Sequence, residues 1–431
     1  MMVLYLDKFR GFSDTFIPLT NVNFLVGENS TGKTSVLSLL KLLSDRKFLH
    51  LYEFNNEQVS LGFFEEIANE KAKKFKIGFY NNNSNEEVLN SPFLFTFTNM
   101  DGVPYLSKIN MLINKLNIEI TITPKNIRFR YKKYLNNSSN FLVDFKDWVI
   151  NTEKDLLNLR NNDLNYKVKH TPMPLHFLIF LVLEQIDSLN QIDSDEILGF
   201  FGHFDDGLLR PVTWIAPIRA KPKRIYDSYN VNFSPEGDHI PYLLKKVFGQ
   251  KRSLEKNNDE INAFVEFGKE SGMFQLVDIK NLGNKKTAPF EIEVIINHKP
   301  YKISNVGYGV AQVLPVITEI ILSKKNSIFA IQQPEVHLHP KAQASLGDFI
   351  YNAAKKHDFL IETHSDYFID RFRLAIRRNG YIKSQILFFE RNTDGNQVTQ
   401  IDIQEDGMYS TNQPSAFREF FIQEELNLIG G

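Results

Sequence analysis

The sequence predicts an α/β protein built around a phosphate-binding loop, with an antiparallel β subdomain and a helical insertion. Three observations carry that prediction. Gly27-Glu28-Asn29-Ser30-Thr31-Gly32-Lys33-Thr34 fits the spacing G-x-x-x-x-G-K-[ST]. The apolar run Val22–Val26, broken only by Asn23, precedes it as a buried strand. Val36, Leu37, Leu39, Leu40, Leu42 and Leu43 follow it as one wide helical face. Late in the chain, Ile328–Ile331 has the composition of a buried parallel strand, and the C-terminal end of such a strand is where an open α/β sheet places a ligand site.

The loop has a specific chemistry. Gly27 and Gly32 permit turns that a Cβ would block. Successive N–H groups and the helix N-terminus then face phosphates. Lys33 reaches the outer phosphates, and the Thr34 hydroxyl ligates magnesium. Asn29, Ser30, Thr31, Gly32, Lys33, Thr34 and Ser35 are therefore the nucleotide-binding candidates, with ATP and Mg2+ as the expected ligands.

Composition sets outer bounds. The 431 residues suggest two or three domains, or one with a large insertion. Charge is balanced, 50 basic residues against 51 acidic, so nucleic-acid contact needs a local patch rather than global attraction. The absence of cysteine excludes disulfides, thiolate metal sites and cysteine nucleophiles. Met1–Lys8 has no signal-peptide pattern, and the most apolar run, Phe177–Leu183, is too short to span a bilayer. A soluble cytoplasmic protein with no membrane partner is expected.

In order, Val3–Leu6 and Phe16–Leu19 read as strands that lead to the loop. Val59–Ala68 connects, with a helical piece. Phe75–Tyr80, Phe93–Thr98, Ile118–Thr123 and Ile127–Tyr131 have strand composition and predict an antiparallel sheet. Phe141–Asn161 and Pro172–Leu189 have helical periodicity, and Glu184–Asp195 is polar surface. Val212–Ala216 is a strand that runs into the densest basic stretch, Pro217–Tyr226, read either as a phosphate-contacting loop or as a solvated charged one. Ile240–Phe248 and Ile261–Lys269 read as helices. Phe274–Ile279 and Phe290–Ile296 read as paired strands.

The last third supplies further candidates. Ser304–Gln312, with Asn305, Gly307 and Gly309, opens a helix over Val310–Leu322 and can present N–H groups to a phosphate. Gln332-Gln333-Pro334-Glu335 follows the strand Ile328–Ile331, where a phosphate-loop enzyme usually places an aspartate for magnesium and then a glutamate for water. Glu335 is the first acid available. His337 and His339 lie at i, i+2, not the helical i, i+4 spacing of a metal pair. The strand Phe359–Ile361 delivers Glu362, Thr363 and His364 at its end, and His364 is placed to contact a terminal phosphate or the attacking water.

Together these stretches resemble the ABC-type ATPase heads of the RecF, SMC and OLD group, over most of the chain. Lys8-Phe9-Arg10-Gly11-Phe12 resembles the group's opening Asn-Phe-Arg turn, and Gly27–Ser35 its Walker A loop. Asn305–Gln312 stands where its signature loop would be. Gln332–Pro340 is similar to its Walker B and D-loop segment, and His364 to its switch histidine. Ile215-Ala216-Pro217-Ile218-Arg219, with Arg224 and Tyr226, looks like the stand-alone bacterial branch that includes the Septu (PtuA) type.

The resemblance implies a P-loop NTPase of ABC-ATPase head type. Residues 1–134 would form the N-terminal half, 135–208 a helical insertion, and 209–431 the C-terminal half. It assigns catalytic positions to Glu335, His364 and Gln333, and magnesium to Thr34 and Gln332. Asn305, Gly307 and Gly309 would meet nucleotide on the facing subunit of a head-to-head dimer. With Gln332 and Gln333 in place of acids, hydrolysis is expected to be slow. The implied role is an ATPase subunit of an antiphage complex that regulates a partner nuclease, HNH-type or alternatively TOPRIM-type, with DNA held through the complex. About 65 residues remain after His364, below the size of an independent catalytic domain, so no intrinsic nuclease is expected. The alternatives are a DNA-repair ATPase of RecF/SMC type and a nucleotide-sensing scaffold without turnover. A repair ATPase of SMC type would carry a long heptad arm, and no such run is present.

Overall fold

A computed structural model describes residues 2–81, 91–113, 116–134, 141–155, 162–167, 174–187, 209–227, 232–249, 259–285, 287–393 and 395–417. The helical reading of Phe141–Asn161 lies outside these from residue 156. That of Pro172–Leu189 does so at both ends, and the polar stretch Glu184–Asp195 from residue 188.

The strands in chain order are β1 (Met2–Asp7), β2 (Thr15–Leu19), β3 (Val22–Gly27), β4 (Lys74–Asn81), β5 (Phe93–Met100), β6 (Val103–Ile113), β7 (Leu116–Ile122), β8 (Asn126–Lys133), β9 (Asn162–Lys167), β10 (Val212–Ile215), β11 (Leu276–Asn281), β12 (Phe290–Ile296), β13 (Lys299–Lys302), β14 (Ile328–Gln332), β15 (Asp358–Glu362), β16 (Ser384–Asn392) and β17 (Gly395–Ile403). They fall in two compact units. One comprises Met1–Thr20, Glu28–Pro211 and Phe389–Gln400; the other comprises Asn21–Gly27, Val212–Phe388 and Ile401–Gly431.

The first unit holds the antiparallel sheet, in the order β2-β1-β4-β5-β6-β7-β8-β9. Alternation buries Phe75, Ile77 and Phe79 of β4. Phe75 and Phe97 stack across the sheet at 5.1 Å, with Phe54 edge-on to both. The helix Phe141–Asp155 lays Phe145, Trp148 and Val149 against Val3, Tyr5 and Leu94. Trp148 satisfies its indole N–H on Asn117 Oδ1 at 3.3 Å. The region read as a helical insertion also contributes a strand, since β9 pairs antiparallel with β8.

The second unit is layered α/β. Its sheet belongs to the strand order β10-β14-β15-β3-β16-β17, with β16 as far as Phe388 and β17 from Ile401 counted in this unit, and the pairs β10/β14, β14/β15 and β15/β3 are parallel. These inner strands are buried along nearly their whole length, as parallel strands covered on both faces require. The helices Ile240–Phe248, Asp259–Ser271, Tyr308–Leu322, Pro340–Ala353 and Asp366–Asn379 share one core with the sheet, including Phe24, Phe329, Leu346, Phe359 and Phe372. The expected strand pair at Phe290 becomes a three-stranded sheet, β11-β12-β13. Among the described residues no helix is long and apolar enough to cross a membrane.

Candidate functional site

The sequence-predicted residues divide between the two units, and the boundary at Gly27 and Glu28 passes through the glycine loop. Glu28–Ser35 belongs to the first unit. Ser30 and Gly32 take left-handed backbone, at φ 64° and 95°. A Cβ on Gly32 would stand 2.5 Å from the Phe12 ring, so this position needs glycine on two counts. Gly32 caps the helix Lys33–Leu43 without a side-chain bond, which leaves that helix end suited to an anion. Thr34 is exposed at this end, whereas Lys33 is 3% exposed.

The loop is folded on itself. Lys33 Nζ donates to Glu28 O at 2.6 Å, and the Thr31 hydroxyl donates to the same oxygen at 2.8 Å. Arg391 Nη2 donates to Ser30 O at 2.9 Å, and Arg10 Nη1 to Ser35 Oγ at 2.9 Å. Burial lowers the Arg10 pKa, partly offset by Glu66. Arg10 is part of the segment that resembles the opening turn. The Arg391 contact has no local sequence signal, because it joins residues far apart in the chain.

In the second unit the ends of β14 and β15 carry the remaining groups. Gln332 and Glu362 are register partners on adjacent parallel strands, so their side chains emerge side by side. Gln332 Nε2 donates to Glu362 Oε2 at 3.1 Å, and Trp214 Nε1 donates to Gln332 Oε1 at 3.0 Å. An indole only donates and a carboxylate only accepts, so these two partners fix which way the amide points. Gln333 follows in left-handed backbone at φ 43° and donates its N–H to Glu362 O at 2.7 Å. Glu335 is buried, and its Oε1 accepts the His364 N–H at 2.8 Å. Burial raises the Glu335 pKa; bonds from the His364 backbone and the Thr363 hydroxyl and the charge of Arg219 work against that rise. The His364 ring is exposed. Ser365 caps the next helix and donates to Gln343 Oε1 at 2.6 Å.

Asn305 and Gly307 are exposed ahead of the helix Tyr308–Leu322, and among the described residues a Cβ on Gly307 would meet nothing within 4 Å. Gly309 is different, because a Cβ there would stand 2.6 Å from His337 O. His339 caps the helix Pro340–Ala353, its Nδ1 accepting from Ala342 N. Among the described residues no three His, Cys, Asp or Glu side chains are grouped to hold a metal.

The basic stretch splits. Lys221, Lys223 and Arg224 are exposed, as a charged loop predicts. Arg219 turns inward and is 1% exposed, with its Nη2 donating to Gln332 O at 3.0 Å. Neither sequence reading of the loop, phosphate-contacting or solvated, accommodates this. Burial pushes its pKa down to about 10, with Glu335 opposing.

Thr34 and Gln332 are the two candidate magnesium ligands. Thr34 is exposed at the start of its helix. The Gln332 side-chain oxygen accepts the Trp214 N–H and, being neutral, is a weaker magnesium ligand than the carboxylate usual at this position.

No curated protein matches the chain. Among solved structures, an SMC head bound to the C-winged helix domain of ScpA aligns with 94% of this chain and 98% of its own, at 11% identity and TM-score 0.42. An SMC head domain from Thermotoga maritima aligns with 92% and 97%, at 11% identity and TM-score 0.34. An SMC head with an extended coiled coil, bound to a ScpA domain, from Pyrococcus furiosus aligns with 99% and 100%, at 10% identity and TM-score 0.38. The model of the AAA ATPase domain family (AAA_15) matches residues 2–369, most of the chain, and the protein belongs to that family.

Proposed function

We propose that the chain binds ATP at the loop Asn29–Ser35 and works as the slow ABC-type ATPase subunit of a larger complex. The observation that carries this is the folded-back loop, in which the buried Lys33 ammonium rests on Glu28 O. A phosphate oxygen offers the same bond with a full opposite charge, so exchanging the carbonyl for a nucleotide is favourable. Thr34 would hold the magnesium ion, which supplies charge neutralisation at the phosphates when bound. Glu335, held by the His364 backbone, and the exposed His364 ring would orient water.

Two copies would meet head to head, with Asn305, Gly307 and Gly309 of one facing the nucleotide loop of the other. A shape change of this kind needs something to act on. The resemblance to Septu-type antiphage ATPases makes that a partner nuclease, HNH-type or else TOPRIM-type. Lys221, Lys223 and Arg224 would assist with its nucleic acid.

The test is calorimetry with ATP. Lys33→Ala should weaken binding by roughly tenfold or more, the size of a hydrogen bond to a charged group. Equal affinity in wild type and variant would reject the site. Turnover should fall below the roughly 1–100 per second of kinases, since Gln332 and Gln333 bring no charge to the phosphates. A sensor without turnover is the second reading, favoured by the engagement of Gln332 with Trp214 and Glu362. Gln333→Glu separates the two, as only a slow enzyme speeds up.

A further inference from the structure

Arg219 is a buried cation in a loop whose other cations face solvent. Among the described residues its Nε and Nη1 have no hydrogen-bond partner, so packing alone gives no reason for a guanidinium there. Its bonds show a pattern. The Gln312 side chain brackets its backbone: Arg219 N donates to Gln312 Oε1 at 3.3 Å, and Gln312 Nε2 donates to Arg219 O at 3.4 Å. Gln312 lies in the first turns of the helix Tyr308–Leu322, directly behind the loop Asn305–Gly309. At the other end, Arg219 Nη2 holds Gln332 O, the last carbonyl of β14, and its charge acts on Glu335. Pro217 and Pro222 flank the residue and stiffen the loop. The surrounding backbone is pinned where Ala216 N and Ala220 N donate to Pro235 O and Glu236 O.

We infer that Arg219 is a positioning residue: Gln312 grips its backbone, its guanidinium grips the end of β14, and a shift of the helix Tyr308–Leu322 is thereby passed to Gln332–Glu335. The linkage runs through one residue and two sets of directional bonds, so a small displacement of the loop Asn305–Gly309 need not be absorbed in the core. This deepens the ATPase reading above, because the loop proposed to face a second copy is tied to the segment proposed to position water.

Hydrogen exchange decides it without any need for turnover. Gln312→Leu removes the grip at a residue bonded through its side chain to the Arg219 backbone. It should speed amide exchange over Gln332–Leu338 roughly threefold to tenfold, the size of a neutral hydrogen bond lost from the linkage, and leave β11 and β12 as in wild type. Arg219→Met should do the same, and the double variant should add little, since both changes cut one linkage. Arg219→Lys keeps the charge but not the planar fork, so it should restore the segment only in part. Unchanged exchange at Gln332–Leu338, an equal rise in β11 and β12, or simple additivity would overturn the proposal. In steady state the same variants should lower kcat and leave the calorimetric affinity for ATP unchanged. A wild type without turnover would defeat the hydrolysis reading alone, because the exchange result still stands or falls by itself.

Discussion

At the scale of single residues, the site depends on charge held out of water. Glu335 has its pKa raised by burial above the ordinary 4.5 of a glutamate. Between that ordinary value and the folded one, the native state holds a proton that the unfolded chain has lost. Its contribution to stability is therefore lost as pH rises through that window. Glu335→Gln keeps an acceptor for the His364 N–H and removes the titration. Denaturant unfolding at several pH values should show a flatter dependence for the variant, with the difference confined to the acid side; identical profiles would mean that Glu335 does not titrate as argued. Residue identity was legible where a motif fixes the backbone, as at Gly32 and Lys33. It was not legible at Arg219, because a cation among Lys221, Lys223 and Arg224 looks like the rest of a solvated run until Gln332 O and Gln312 are placed beside it.

At the scale of elements, the parallel strands were readable because burial on both faces leaves unbroken apolar runs, as in β14 and β15. The antiparallel β6 was not. Lys108 and Asn110 interrupt its pattern, and both turn out to meet Glu119 of β7, at 2.9 and 3.3 Å, while Arg130 of β8 holds the other oxygen. Cross-strand partners of this kind restore the logic of a strand but are invisible before pairing. The helix Asp366–Asn379 is another matter, since Phe368, Ile369, Phe372 and Ile376 repeat at helical spacing and the signal was present. Asn23, the one polar residue in β3, is a clamp: its Nδ2 donates to Phe359 O at 3.0 Å, and its Oδ1 accepts from Gln385 Nε2 at 2.8 Å. Asn23→Val should cost about 1–3 kcal/mol by stranding buried groups on the neighbouring strands β15 and β16. Adding Gln385→Leu should recover part of that loss in urea unfolding, and full additivity would show that the two amides act independently.

At the scale of the whole molecule, the open prediction concerns association, and Gly307 isolates it. Glycine before a helix ordinarily serves a backbone need, yet Gly307 has φ −55°, which any residue adopts. It does not serve packing among the described residues either, because a Cβ there meets none of their heavy atoms within 4 Å. Gly309, two residues on, is tightly placed against His337 O and would confuse fold with function if altered. A large side chain at Gly307 therefore starts from an exposed position with room for its Cβ, and it obstructs a second body that approaches the loop. Gly307→Trp should melt at the wild-type temperature and bind ATP as wild type does at protein concentrations too low for association. In sedimentation with a non-hydrolysable ATP analogue, wild type should shift to a dimer and the variant should remain monomeric. If the pair forms equally well with tryptophan in place, the loop Asn305–Gly309 does not face another copy, and head-to-head closure over the nucleotide is the wrong geometry for this ATPase.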